Sequence, residues 1–61
     1  MFLTNEQAIK LGQEVIDGLN LQVQSNGRVD TTWGDKSPEG LGRTIACLVE
    51  EALEATYKII P

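Results

Sequence analysis

The residues that could do chemistry are concentrated in residues 28–44, where a predicted strand leads through a tight connection into a predicted helix. A helix start has backbone N–H groups without helical partners and carries the positive end of the helix dipole, so it can bind an anion. Cations, hydroxyls and the single tryptophan lie in the same stretch. We expect a phosphate and a flat ring to be bound by Arg28, Thr32, Trp33, Lys36, Ser37, Arg43 and Thr44.

In this hypothesis Lys36, Arg43 and the helix start bind the phosphate. Arg28 reaches in from the hairpin or from a neighbouring subunit. Trp33 stacks on a base, and the hydroxyl groups donate hydrogen bonds.

A structural alternative remains open for the same residues. Trp33 would then pack in the core, and Lys36 and Arg43 would be solvated or paired with neighbouring carboxylates. Gly42 would only allow close helix packing. The segment that ends in Lys36 is not a P-loop, because the Walker pattern needs an earlier glycine and a longer loop.

Catalysis is not expected from this composition. The chain has no histidine, the usual general base, and its only cysteine, Cys47, has no imidazole to activate it. One cysteine and no histidine also make a zinc site unlikely on composition, and no cofactor is predicted. The net charge of −4 argues against duplex nucleic acid as a partner, since such proteins carry a basic footprint.

The first predicted helix begins at a capping box, in which Thr4 is the cap and Gln7 reaches back to it. Its apolar face contains Ala8, Leu11, Val15 and Leu19, flanked by Ile9 and Ile16. Gly12 lies within this arc, where another backbone can approach closely. Residues 17–20 predict the end of the helix.

A β-hairpin is predicted next, with strands at residues 21–24 and 28–33. A three-residue loop, with Gly27 in a left-handed conformation, would pair Val23 with Val29 and Leu21 with Thr31. Trp33 would then share the apolar face of the hairpin.

The second helix is predicted from a Ser37 cap and Pro38 at its first position to about Lys58. Its apolar residues cover roughly 200° of the helix surface, more than an ordinary surface helix presents. They are Leu41, Ile45, Ala46, Leu48, Val49, Ala52, Leu53 and Tyr57. The sequence therefore predicts one α+β domain, residues 1–61, with helix–hairpin–helix (αββα) order, that forms a homo-oligomer.

Residues 32–45, TWGDKSPEGLGRTI, resemble a segment of small uncharacterised accessory proteins of tailed phages and prophages, in which an aromatic-Gly-x-Lys-Ser/Thr run precedes a Gly-Leu helix start. The resemblance covers about a quarter of the chain and implies an accessory role in the cytoplasm of a host cell. No apolar run approaches the roughly 20 residues of a membrane span.

Three functions fit these observations. The leading hypothesis is a non-enzymatic homo-oligomer that sequesters a small anionic, nucleotide-like ligand, such as a cyclic nucleotide immune signal. The second is an inhibitor that binds a host defence protein, and the third is a structural or assembly module.

Overall fold

Two helices flank a short antiparallel hairpin in the sequence order of the computed structural model, which describes residues 2–59. Helix α1 is Asn5–Leu19, strand β1 is Val29–Thr31, strand β2 is Gly34–Lys36, and helix α2 is Pro38–Ile59. The predicted α+β, helix–hairpin–helix order is confirmed, whereas the residues that form the hairpin differ from the prediction.

Helix α1 begins and ends where its capping residues predict. The Gln7 backbone N–H donates to Thr4 Oγ1 at 3.2 Å, and the Thr4 N–H donates to Gln7 Oε1 at 3.0 Å. This reciprocal pair satisfies two backbone donors. The helix ends at Asn20, which adopts the left-handed conformation with φ 53° and whose N–H donates to the last turn.

The buried face of α1 is narrower than predicted and is centred on small residues. Ala8, Gly12 and Ile16 are buried, whereas Leu19, predicted to share the apolar face, is 62% exposed. The buried face of α1 is shifted from the predicted one because the two helices cross at their small residues. A Cβ on Gly12 would overlap the Pro38 carbonyl, and a Cβ on Gly42 would overlap the Ala8 carbonyl. The helices therefore meet backbone to backbone.

The hairpin lies later in the chain than predicted. Strand β1 pairs with β2 in the register Val29 with Lys36 and Thr31 with Gly34. The predicted partner strand at residues 21–24 contributes one isolated bridge, Val23 with Val29. That pairing and the positive φ of Gly27, 83°, are as predicted. The predicted pairing of Leu21 with Thr31 is wrong, because the pairing at Val23 is an isolated bridge that does not extend to Leu21.

A two-residue turn at residues 32–33 connects the two strands of the observed hairpin. Gly34 takes a φ of 107°, which favours glycine. The Thr31 hydroxyl accepts from the Trp33 N–H at 3.1 Å and donates to the Gly34 carbonyl at 2.7 Å. One side chain therefore satisfies two groups of the turn, which places Trp33 at the tip of the hairpin rather than in a strand.

The core is small and lies at one end of α2. Ile16, Val29 and Leu41 form its buried cluster, with Leu21 and Ile45 partly buried against it. Gly12 of α1 meets Pro38 at the start of α2, and Ala8, earlier in α1, meets Gly42, later in α2, so the two helices run antiparallel. The C-terminal turns of α2 therefore extend past the beginning of α1, and the molecule measures 48 × 23 × 17 Å.

Candidate functional site

The predicted anion site at the N-terminus of α2 is largely occupied by the chain itself. Ser37 caps the helix, since the Gly40 N–H donates to its hydroxyl at 3.1 Å and the Leu41 N–H to its carbonyl at 2.8 Å. Pro38 has no N–H to offer. The Thr44 hydroxyl donates to the Gly40 carbonyl at 2.9 Å. Ser37 and Thr44 thus have structural partners within the first turns of α2.

Arg43 connects the two helices. Its guanidinium donates to Glu39 Oε2 at 3.1 Å, to the Leu3 carbonyl at 3.1 Å and to Asn5 Oδ1 at 2.8 Å. The pairing with Glu39 is the structural alternative that the sequence left open. The two contacts with the start of α1 are additional, and they direct Arg43 toward α1.

Arg28 is paired within the hairpin. Its Nε donates to Asp35 Oδ2 at 3.2 Å, and a terminal nitrogen donates to the Asp35 carbonyl at 3.0 Å. The side chains are about half exposed, at 47% and 50%, so an anion could still approach. The Asp35 carboxylate nevertheless offsets the positive charge that the predicted site requires.

Thr32 and Trp33 form the turn at the tip of the hairpin, and Trp33 is 42% exposed. Lys36 is half-buried at the end of β2, and its side chain has no ion pair or hydrogen bond with another residue in the range 2–59. Trp33 lies in the turn, and Lys36 follows it by three positions at the end of β2.

The predicted site residues therefore divide into three groups. Thr32 and Trp33 lie at the hairpin tip. Arg28, Lys36 and Ser37 lie where the hairpin meets α2. Arg43 and Thr44 lie further along α2, and Arg43 lines a groove of about 230 Å³ with Leu3, Ala46, Cys47 and Glu50. The structure does not bring the three groups into one pocket of a single copy.

A second groove, of about 380 Å³, lies between the end of α1 and the start of α2. It is lined by Gln13, Ile16, Asp17, Val23 and Pro38, none of which belongs to the predicted site. Within the described residues, no group of three or more acidic or cysteine side chains is arranged to hold a metal ion.

The most conspicuous exposed surface is apolar and lies on the C-terminal half of α2. Leu48 is 39% exposed, Val49 44%, Leu53 51% and Tyr57 78%. With Ala52 between them, we refer to these residues as the apolar stripe. The helix periodicity predicted that α2 carries a wider apolar surface than one copy of the chain can cover. The structure adds that neither α1 nor the hairpin covers these residues.

No protein-family model, curated protein or solved structure matches the chain. No helix in residues 2–59 has the length and apolarity to cross a membrane. Inferences about function therefore depend on the surfaces and contacts of the chain itself.

Proposed function

We propose that this chain is a non-enzymatic binding module that acts by docking protein onto the apolar stripe of α2. The observation that supports this function is the exposure of the stripe in a chain with a very small core. Of the large side chains among residues 2–58, only Val29 and Leu41 are fully buried. Chains of this size usually need an additional source of stability, such as oligomerisation.

Covering the stripe would supply a substantial part of that stability. Full burial of a leucine or valine contributes about 1.5–3 kcal/mol. Leu48, Val49 and Leu53 are each roughly half exposed, so covering them would contribute about 1 kcal/mol each by the same scale. The aromatic ring of Tyr57 adds further area, and its hydroxyl allows a position at the edge of an interface.

The opposite side of the same helix favours solvent. Glu51, Glu54 and Lys58 are exposed there. A helix with one apolar and one charged side is typical of a segment that binds a partner along a single face. In the host cytoplasm, the setting that the phage-protein resemblance implies, such a module would act as an assembly unit or as a binder of a host protein.

Mass measurement with matched variants tests this function. We expect the wild type to have a mass above the 6.7 kDa of one chain, by light scattering of purified protein or in extracts of the producing cell. Val49→Ser with Leu53→Ser should return it to one chain. Ile9→Ser, at a 37% exposed position of α1, should behave like the wild type.

The reasoning fails if the wild type is a single chain in both settings, or if Ile9→Ser and the stripe variant have equal effects. Circular dichroism of each variant separates lost binding from lost folding. Because the stripe side chains are already substantially exposed, we expect the variants to retain their helices.

A second candidate function is binding of a nucleotide-like anion at the hairpin, favoured by one specific observation. The Lys36 side chain has no polar partner in residues 2–59, and the partly exposed ring of Trp33 lies three positions earlier, at the hairpin tip. Native mass spectrometry with linear and cyclic nucleotides tests it. Trp33→Ala with Lys36→Ala should abolish any ligand mass and leave assembly through the stripe intact.

A further inference from the structure

We propose that Asn26 is a site of spontaneous deamidation, and that the isoaspartyl product releases the chain segment before β1 from the hairpin. Asn26 and Gly27 lie in the exposed turn that leads into β1. Water is the co-reactant and ammonia is the leaving group. The inference does not involve the apolar stripe, so its test is separate from that of the proposed function.

The reaction begins with attack of the Gly27 backbone nitrogen on the side-chain amide carbon of Asn26. The new nitrogen–carbon bond closes a succinimide ring, the bond from that carbon to the amide nitrogen breaks, and the Gly27 proton leaves with ammonia. Water then opens the ring at either carbonyl. Opening at the side-chain carbonyl gives aspartate. Opening at the main-chain carbonyl is the favoured path and gives isoaspartate, in which the main chain runs through the former side chain.

The attacking nitrogen is accessible because of the residue that carries it. Gly27 has a φ of 83°, and no atom lies within 4 Å of the place where a Cβ would be. Glycine therefore leaves its nitrogen uncrowded. The Gly27 N–H donates to the Gln24 carbonyl at 2.9 Å, which is the contact that ring closure must break. Exposed turns with so few contacts open readily.

The Asn26 side chain is also prepared for the attack. The Arg28 backbone N–H donates to Asn26 Oδ1 at 3.0 Å. This oxygen gains negative charge as the nitrogen adds to the amide carbon, so the donor already points at the atom where charge develops. The same hydrogen bond spans Gly27, so the side chain lies along the residue whose nitrogen attacks.

The chain has two other asparagines, and neither has these features. Asn5 is the first residue of α1, and its Oδ1 accepts from the Arg43 guanidinium at 2.8 Å. Asn20 precedes Leu21, whose side chain crowds the nitrogen and whose N–H donates to the last turn of α1 at 2.9 Å. The structure therefore singles out Asn26 among the three.

The isoaspartyl product would disturb one side of β1. It adds a methylene group to the main chain of the turn, between the two ends of the hydrogen bond that joins the Gln24 N–H to the Arg28 carbonyl at 2.8 Å. The neighbouring contact, Val23 with Val29, is an isolated bridge with no further pairing to support it. We expect both contacts to be lost, whereas the pairing of β1 with β2 has its own turn and remains.

Ageing of the purified full chain at mildly alkaline pH, followed by peptide mass spectrometry, tests the site. Asn26 should convert at least about tenfold faster than Asn5 and Asn20, which have structural restraints that the exposed turn lacks. Hydrogen exchange tests the consequence, since the Gln24 N–H should exchange faster in the isoaspartyl fraction. Asn26→Asp is the matched control, because it adds the same negative charge without lengthening the main chain, and its Gln24 N–H should exchange as in the wild type.

The site assignment is overturned if Asn5 or Asn20 converts as fast as Asn26. It is also overturned if Asn26 reacts in urea but stays intact in the folded chain, because the turn would then protect it. Equal protection of the Gln24 N–H in the isoaspartyl fraction and the wild type would refute the release of the segment. Equally fast exchange in Asn26→Asp would refute the role of the longer main chain and assign the effect to charge.

Discussion

Replacing Gly12 by alanine tests the backbone contact on which the fold depends. The new Cβ would overlap the carbonyl group of Pro38 and would lie 3.2 Å from the Gly42 nitrogen. Because the obstructing atoms belong to the backbone of α2, no side-chain rotation can relieve the overlap. The helices must separate, and the packing of Ile16 against Leu41 loosens with them.

The expected cost follows from two opposing effects. Overpacking of this kind costs about 1–3 kcal/mol, with larger values where backbone must move. Alanine in a helix interior is favoured over glycine by about 1 kcal/mol. We expect a net destabilisation of about 2 kcal/mol, which lowers the Tm of a chain this small by roughly 8–16 °C.

Gly18 supplies a matched control in the same helix. No atom lies within 4 Å of a Cβ placed there, so Gly18→Ala gains helix propensity without a clash. We expect it to stabilise the chain by about 0.5–1 kcal/mol. Thermal unfolding followed by circular dichroism measures both variants, at one fixed protein concentration because the proposed association would contribute to stability.

Gly42→Ala extends the test to the partner helix, since its Cβ would overlap the Ala8 carbonyl. Once one substitution has separated the helices, the second has less to disrupt, so the double variant should be less destabilised than the sum of the singles. The reasoning is refuted if Gly12→Ala unfolds at or above the temperature of Gly18→Ala. Strict additivity of Gly12→Ala and Gly42→Ala would also show that the two glycines do not share one contact.

A further prediction concerns the end of α1. Asn20→Ala should lower the free energy of unfolding by about 1 kcal/mol, because the left-handed conformation of residue 20 is costly for alanine. Asn20→Gly should not lower it, and chemical denaturation measures both variants. Equal effects of the two substitutions would assign the cost to a lost side-chain contact instead.

The helices could be predicted from the sequence because their signals are local. The capping box at Thr4, the Ser37 cap and the end of α1 at Asn20 each involve residues within a few positions of one another. The prediction of a left-handed Gly27 depended on a local turn as well. Such features survive in any tertiary context that leaves the helix ends exposed.

The strands of the hairpin could not be placed because Val29 takes part in two pairings, one on each side. One turn pairs it with Val23 and the other with Lys36, and the structure retains both contacts. The alternation of apolar and polar residues favoured the first pairing. The second depends on the Thr31 hydroxyl bridging its turn, a contact that hydrophobic periodicity does not register.

The candidate ligand site presents a different difficulty, which Arg43 illustrates. An arginine beside glycines at a helix start gives the same sequence pattern whether it binds an anion or forms hydrogen bonds with another part of the chain. Two of its acceptors, Leu3 and Asn5, lie 40 and 38 residues away, so no local window includes them. The deciding information is tertiary, and it is absent from residues 28–44.

The contacts of Arg43 also define what a ligand would have to displace. Its exposed pair with Glu39 is worth at most about 1 kcal/mol, so an anion could replace that partner at little cost. The two contacts with the start of α1 are different, because losing them frees the chain before the helix. An anion that recruited Arg43 would therefore loosen the N-terminus of α1, whereas one bound by Lys36 and Trp33 would leave it unchanged. Hydrogen exchange at the first turn of α1, measured with and without ligand, distinguishes the two modes of binding.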